Sequence, residues 1–274
     1  CFVAIQELQF DILDFDNYNK FFDEESYISL AQAGTYTGPD AMAEYVKFAS
    51  PFSPYFDNVE GGPFLNAFPV YDTEKESCIF TSTRIRVYTF SDELVPKSKP
   101  VELAVATKIF FSLAKNKIEK FHVYYTDGWL AFVFDKRLRT NNVNDFICET
   151  MSNVCGFDDV DISGDCQKQL KKLPSLTNGT HFDGDSHGCR ALHASFAVSN
   201  PDIHCPHIAF IPYEDPNGLI KCSESLGVKP TDLFDAADLD MFETFCEDNG
   251  IDPAQGYSEL KYGKGKGGKT GKAP

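Results

Sequence analysis

Alternation of apolar and polar residues dominates the middle of the first half of the chain. Side chains point to opposite faces of a β-strand in turn, so a period of two predicts strands with two different faces. The pattern predicts three long antiparallel strands, at residues 78–90, 101–113 and 118–125. Asp127-Gly128 is a strong hairpin signal and predicts a fourth strand over residues 129–134.

Apolar residues are spaced by three and four positions in the region before these strands. This spacing predicts a helix over residues 14–25, followed by a short strand at 26–30 and a turn at 34–38. Pro39 opens a second helix, whose buried face includes Tyr45. The first half is therefore predicted to be an α+β fold, with helices packed on a curled antiparallel sheet.

Helical spacing returns after a polar linker at residues 137–142, which predicts a domain boundary there. Helices are expected to begin near residues 143, 167 and 188, and a last helix carries Phe242 and Phe245. The predicted organisation is an α+β domain over residues 1–137, a small, mostly helical domain over 143–258, and a disordered Lys/Gly-rich tail over 259–274.

The number and clustering of the cysteines predict an oxidising compartment and a second domain that is cross-linked by disulfides. Seven of the nine cysteines are disulfide candidates: Cys148, Cys155, Cys166, Cys189, Cys205, Cys222 and Cys246. The odd total leaves a thiol free, and Cys1 or Cys78 is the expected one because both lie outside this cluster. Asn178 begins a glycosylation sequon, and a first residue without a charged or apolar leader fits a mature exported chain. We therefore expect a secreted or lumenal glycoprotein.

The charge distribution excludes some partners. The formal net charge is -16, and the last fourteen residues contain five lysines and no acidic residue. Such an acidic body repels nucleic acid, and the tail is the one segment suited to binding a polyanion. The sequence has no run of 18 apolar residues, which predicts that nothing spans a membrane.

The stretch from His181 to His207 contains five of the six histidines. Cys189 and His193 fall on one predicted helical face, and His204 and His207 follow after a turn. Imidazole and thiolate are ligands that zinc and copper prefer, so these four residues predict a metal site for zinc or copper. In the alternative interpretation Cys189 and Cys205 are half-cystines and the histidines pack beside them.

Two further motifs suggest chemistry. Gly184-Asp185-Ser186-His187-Gly188 fits a nucleophile elbow and predicts an esterase with Ser186 as nucleophile, or else a helix cap at Asp185 or Ser186. Asp159 and Asp161 copy the first half of an EF-hand calcium loop, but Leu170 stands where the bidentate glutamate belongs. An acidic turn is the alternative to a calcium site.

Residues 8–136 resemble the NTF2-like superfamily, in particular its SnoaL-like branch. The resemblance rests on the block AGTYTGPDAMAEY, with Gly34, Tyr36, Gly38, Pro39, Glu44 and Tyr45, and on the order of helices and strands. It implies a cone whose sheet wraps a pocket, a frequent dimer, and an isomerase, cyclase, dehydratase or non-catalytic ligand-binding activity. No family is recognised for the second half.

The resemblance also implies where a ligand would bind. His122 is the candidate catalytic base, and the candidate ligand-binding residues are Tyr45, Arg84, Arg86, Tyr88, Tyr124 and Trp129. We therefore expect a secreted protein that binds a small apolar or aromatic ligand or a protein partner. The alternatives are a zinc or copper enzyme at the cysteine–histidine cluster, an isomerase or lyase without a cofactor in the cone, and an esterase at Ser186.

Overall fold

A computed structural model of the chain describes residues 18–31, 33–48, 53–61, 65–74, 76–157, 165–176, 184–223 and 229–260. The strands are β1 (Tyr27–Leu30), β2 (Gly34–Thr37), β3 (Phe56–Gly61), β4 (Leu65–Asp72), β5 (Ser77–Phe90), β6 (Val101–Ser112), β7 (Lys117–Tyr124) and β8 (Tyr257–Glu259). The α-helices are α1 (Tyr18–Phe21), α2 (Pro39–Phe48), α3 (Asp127–Ala131), α4 (Asn141–Glu149), α5 (Asp165–Lys172), α6 (His187–Ala197), α7 (Pro201–Ile208), α8 (Pro230–Leu233) and α9 (Ala236–Asp248). Two π-helical segments, Phe132–Arg137 and Thr150–Val154, continue α3 and α4.

All eight strands belong to one sheet, in the order β2-β1-β7-β6-β5-β3, with β4 paired to β5 and β8 paired to β6. β1 runs parallel to β7, and the other pairs are antiparallel. Shifts in register between Phe110 and Phe111 and between Phe56 and Asn58 interrupt the ladders, and such bulges increase sheet twist. The predicted α+β fold, with helices packed on a curled sheet, is confirmed, and we refer to the inner side of this curled sheet as the cone.

The sheet is covered on both faces, which explains why the consecutive residues 103–106 of β6 are all apolar and buried. Leu103 and Val105 of β6 belong to the main core, together with buried residues of α2 and α6. Ala104 and Ala106 point to the other face and pack against Phe242 of α9. Small side chains at these two positions leave room for the helix to approach the sheet.

The strand predicted for residues 129–134 is wrong, because this segment is helical. The hydroxyl of Thr126 caps α3 by accepting a hydrogen bond from the Trp129 amide at 3.3 Å. Phe132 and Phe134 are buried, and an apolar run buried on all sides has the same sequence pattern in a strand as in a helix. Trp129 packs on Tyr88, with ring centroids 5.3 Å apart, so it belongs to the core.

The hydrophobic core continues across the predicted boundary at residues 137–142. Phe134, Leu138 and Ile147 belong to the same buried cluster as Phe22 and Tyr55 of the first half. The hydroxyl of Tyr55 donates to the backbone carbonyl of Ala191 at 2.6 Å, and β8 adds a C-terminal strand to the N-terminal sheet. These contacts pack the two halves of the chain against each other. That the halves fold as independent domains stays a prediction.

Several other local predictions need correction. Most of the turn predicted at residues 34–38 is strand β2 (Gly34–Thr37), and His204 and His207, which were predicted to follow a turn, lie in helix α7 (Pro201–Ile208). The helix predicted at 14–25 occupies Tyr18–Phe21 within the described residues. Asp159, Asp161, Asn178 and the tail beyond residue 260 lie outside the described residues.

Three disulfides join described cysteines: Cys148–Cys166, Cys155–Cys205 and Cys189–Cys222. Cys78 is also disulfide-bonded, so the expectation that it is free is wrong. Among the described cysteines the free one is Cys246, a disulfide candidate that instead lies on the buried side of α9, which packs on the outer face of the sheet. No helix within the described residues is long and apolar enough to cross a membrane.

Candidate functional site

Three histidines from two consecutive helices converge in the interior. His193 lies on the buried face of α6, and His204 and His207 are three residues apart on α7, so both point to the same side. Each of the three offers a ring nitrogen within 4.8 Å of the other two. The Nδ1 atoms of His193 and His204 are 3.0 Å apart, and the ring centroids of His193 and His207 are 4.7 Å apart.

Glu44 of α2 lies behind His204. Its Oε2 is 2.9 Å from His204 Nε2, and its Oε1 accepts a hydrogen bond from Asn200 Nδ2 at 3.0 Å. Burial tends to raise the pKa of Glu44, but the hydrogen bonds and the positive charge of His204 outweigh it and lower the pKa below its usual value. Because the carboxylate only accepts, His204 Nε2 carries the hydrogen, and Nδ1 faces His193.

Asp215 occupies the corresponding position behind His207. Its Oδ2 is 3.3 Å from His207 Nε2, and its side chain is 1% exposed. The backbone amides of Asn217 and Leu219 donate to its Oδ1 at 2.8 and 2.9 Å, which fixes the carboxylate in a tight turn. Two of the three histidines thus have a carboxylate on the side away from the cluster.

His193 and His207 are held neutral by their surroundings. Burial, together with the positive charges of His204, His207 and Lys221, lowers the pKa of His193 well below its usual value. Burial, with the charges of His204 and Lys221, lowers the pKa of His207 to about 4 despite the opposing effect of Asp215. Neither ring nitrogen of His207 makes a well-aligned hydrogen bond to any described group. A buried imidazole in this state offers a lone pair rather than a charge.

A cavity of about 450 Å³ adjoins the cluster. β2 and α2 form one wall, and α7 with residues 215–221 forms the other, where His204 and His207 reach the surface of the cavity. Tyr36 and Tyr45 stack with ring centroids 3.5 Å apart. The ammonium of Lys221 lies 4.2 Å from the Tyr36 centroid and donates to the Tyr45 hydroxyl at 3.2 Å.

Two arginines of β5 line a small space on the inner side of the sheet. Arg84 and Arg86 line a space of about 20 Å³ together with Tyr125, and Tyr88 is buried on the same face of β5. A space of this size holds about one water molecule. Arg84, Arg86 and Tyr88 thus share the inner face of β5, whereas the cavity beside the histidines lies between β2, α2 and α7. A role for these three residues in ligand binding stays a prediction.

His122 and Tyr124 lie on the opposite face of the sheet, so their expected place in the cone is wrong. His122 pairs with Lys108, and its Nδ1 is 3.2 Å from the backbone carbonyl of Leu233. Tyr124 packs on Phe242 of α9. Alternation had defined two faces correctly, but it could not say which face the C-terminal helices would cover.

Ser186 and Cys189 have structural roles. The Ser186 hydroxyl is buried and accepts a hydrogen bond from the Cys189 amide at 3.0 Å, which confirms the helix-cap interpretation over the nucleophile. Cys189 is bonded to Cys222, so the prediction that it is a thiolate ligand is wrong in this oxidised state, and the half-cystine interpretation holds. Cys205 is likewise a half-cystine.

The sequence predicted the three histidines but not their partners. Glu44 belonged to the block that carried the family resemblance, yet nothing gave it a role. Asp215 and Lys221 stand in a turn-rich segment without a motif, and a short-range pattern carries no signal for contacts to residues so distant in the chain.

Comparison with known proteins finds one matching family model and several similar solved structures. Residues 131–220, which include all three clustered histidines, match the BfoA family C-terminal domain. No curated protein sequence matches the chain significantly.

Solved structures similar to the chain include three bacterial proteins. A candidate scytalone dehydratase from Novosphingobium aromaticivorans is 16% identical, with 46% of this chain and 83% of that one covered and a TM-score of 0.36. A hexachlorocyclohexane dehydrochlorinase from Novosphingobium barchaimii is 15% identical, with 45% and 87% covered and a TM-score of 0.36. A candidate polyketide cyclase from Xanthomonas campestris is 19% identical, with 45% and 87% covered and a TM-score of 0.35.

Proposed function

We propose that this protein binds a transition-metal ion, zinc or copper, through His193, His204 and His207, and that it binds a small molecule in the adjoining cavity. The observation that carries the proposal is the convergence of three buried imidazoles within 4.8 Å, two of them backed by carboxylates. A carboxylate behind a ligating histidine fixes its orientation and raises its basicity. Proximity to a cavity leaves a side of the site open, which is typical of catalytic metal centres.

The donor geometry fits such an ion. Two imidazole nitrogens on a tetrahedral zinc, each at about 2.05 Å from the metal, are about 3.3 Å apart, and the Nδ1 atoms of His193 and His204 are 3.0 Å apart. The buried nitrogens of His207, without a well-aligned partner among the described residues, supply the third donor. A bound ion of this kind acts as a Lewis acid and lowers the pKa of a coordinated water.

A metal-free activity is the second candidate, and the contact between Glu44 and His204 favours it. An imidazole at a cavity wall with a carboxylate 2.9 Å behind it is suited to proton transfer, as an isomerase or lyase requires. This candidate replaces the predicted base His122, which contacts the segment before α9 instead.

Export to an oxidising compartment is part of the proposal. Three disulfides between described cysteines support it, because such bonds persist mainly outside the cytosol. Glycosylation at Asn178, calcium binding at Asp159 and Asp161, binding of a polyanion by the tail, and a homodimer or assembly role stay predictions.

Elemental analysis of the full chain, purified without chelators, tests the metal proposal. We expect about one zinc or copper per chain, and we expect His207→Ala to weaken metal binding by about 100-fold or more, since a ligand matters at least as much as its hydrogen-bond partner. His122→Gln is the matched control and should keep the full metal content. A metal content that is negligible, or equal in His207→Ala and His122→Gln, would contradict the proposal and favour metal-free proton transfer.

A further inference from the structure

Strand β2 is an edge of the sheet, and its free side borders the cavity beside the histidines. On one side β2 pairs with β1, and on the other side it pairs with no strand among the described residues. All four of its residues, Gly34–Thr37, line the cavity. Successive side chains of a strand point to opposite faces. A cavity that is lined by every residue in turn therefore lies along the edge of the strand rather than over one face.

The backbone groups of Thr35 and Thr37 point toward this free side. The Gly38 amide donates to the Ser26 carbonyl of the β1 side at 2.8 Å, and Tyr36 lies two residues before Gly38. Alternate residues of an antiparallel ladder bond to the neighbouring strand. Tyr36 therefore bonds to β1, while the N–H and C=O groups of Thr35 and Thr37 face away from it. Within the part of the chain that the structure describes, these four groups have no hydrogen-bond partner, and both threonines are exposed.

The opposite wall of the cavity limits what can reach the edge. Helix α7 and residues 215–221 form this wall, and the enclosed volume is about 450 Å³. A volume of this size holds a small ligand or a short segment of chain, but not a folded domain. Free strand edges pair readily with another chain, and proteins commonly cover them for that reason. Here the cover leaves room for one further strand, along an edge that is about 13 Å long.

We infer that the cavity binds a short extended peptide, which adds as a strand to the free edge of β2. This inference rests on the proposed function, because it names the ligand of the cavity. Main-chain hydrogen bonds to Thr35 and Thr37 supply affinity that does not depend on the peptide sequence, and alternate side chains supply specificity. His204 and His207 line the same cavity, so the peptide lies between β2 and the proposed metal ligands. Apolar side chains of the peptide fit the apolar part of the wall, which consists of Ala41, Ile203 and Leu219.

Saturation-transfer NMR with the zinc-loaded full chain tests this inference, using a set of acetylated hexapeptide amides. In these peptides threonine alternates with valine, leucine, phenylalanine or tyrosine, and we expect at least one of them to bind. That peptide is then made in two forms, N-methylated at the odd or at the even residues. Strand pairing uses alternate amides. One form should therefore lose affinity about 25-fold or more, since two hydrogen bonds of about fivefold each are lost, and the other form should keep it.

A matched pair of substitutions tests the same edge from the side of the protein. Thr37→Pro removes the outward N–H, a change that edge strands tolerate, whereas Thr37→Val keeps this group. Thr37→Pro should lower peptide affinity about fivefold, and Thr37→Val should leave it unchanged. Both variants should keep the zinc content and the melting temperature of the native chain. If Thr37→Pro fails to fold, the two methylated peptides still decide the question, because they are measured on the native chain.

The outcomes separate the two proposals. A zinc-loaded chain that binds none of the peptides, or that responds equally to methylation at either set of residues, overturns strand addition and leaves the metal site standing. A dimer that excludes the peptides and dissociates in Thr37→Pro assigns the edge to a second copy of the chain and also overturns the inference. A chain that takes up no metal but distinguishes the two methylated forms contradicts the metal site and keeps peptide recognition. A chain that does neither contradicts both.

Discussion

Replacing Glu44 with glutamine tests whether the buried carboxylate serves the metal site or only the fold. Glu44→Gln keeps the size of the side chain, and the new amide oxygen can still accept from His204 Nε2, 2.9 Å away in the native protein. The substitution removes the negative charge and turns an amide NH₂ toward Asn200 Nδ2, which donates to Glu44 at 3.0 Å. Two donors then face each other, so one hydrogen bond is lost.

The expected magnitudes differ for metal binding and for folding. Loss of a carboxylate behind a ligating histidine lowers metal affinity by about 10- to 100-fold, equal to about 1.4 to 2.7 kcal/mol. Loss of one buried hydrogen bond lowers the free energy of unfolding of the metal-free chain by about 1 kcal/mol. The metal-loaded chain should therefore lose about twice to four times as much stability as the metal-free chain.

Competition with a chromophoric zinc chelator measures the affinity, and urea unfolding with and without zinc measures the stabilities. Glu247→Gln, at an exposed position on α9, is the control and should change neither quantity. Unchanged zinc affinity in Glu44→Gln, with equal loss of stability in both forms, would refute the reasoning and leave Glu44 a purely structural residue.

Three further predictions concern the rest of the molecule. Burial lowers the pKa of His187 and His207 from 6.5 to about 4. The unfolded chain then binds protons that the folded chain does not, so the free energy of unfolding should fall by up to about 3 kcal/mol per histidine between pH 6.5 and 4. A free energy of unfolding in urea that does not change over this range would contradict the prediction. Gly128→Ala places a Cβ 2.6 Å from the Gln255 Cα and 2.8 Å from the Ala254 carbonyl oxygen, so thermal unfolding should report a loss of about 1–3 kcal/mol. Gly61→Ala is the matched control and should show no such loss, because its added Cβ would meet no atom closer than the Arg86 Cγ at 3.9 Å. Alkylation in denaturant without reductant should label Cys246 among the described cysteines, and mass spectrometry that finds it unlabelled would contradict the disulfide pairing.

The sequence allowed the three long strands to be predicted because β5, β6 and β7 alternate over many residues. Helices α2, α6 and α9 were predicted for the matching reason, since their apolar residues keep helical spacing and each has a clear end, such as Pro39 or the Asn249-Gly250 stop. The segment after Asp127 was wrongly predicted to be a strand that follows a hairpin turn. Thr126 caps a helix there instead, and the short sequence around Asp127-Gly128 fits either structure.

The site was predictable only where its residues are close in the chain. The spacing of His193, His204 and His207 identified the cluster, because α6 and α7 are joined by a short turn. Glu44 lies 160 residues from His204 in the sequence. The oxidation of Cys189 depends on Cys222, 33 residues away. Such pairings are decided by packing between distant segments, which local periodicity does not encode.

The arrangement of the core explains why the candidate site lies outside the cone. Among the described residues, Arg84, Arg86 and Tyr125 line a space of about 20 Å³ on the inner side of the sheet, which is too small for an organic ligand. α2 contributes to both places, because Tyr45 borders the cone interior as well as the outer cavity. Glu44, its neighbour on α2, reaches the histidines of α7, so the N-terminal half completes a site whose ligands come from the C-terminal half. A C-terminal fragment expressed alone would keep the three histidines but lose the carboxylate that orients His204, and would therefore bind metal weakly even if it folded.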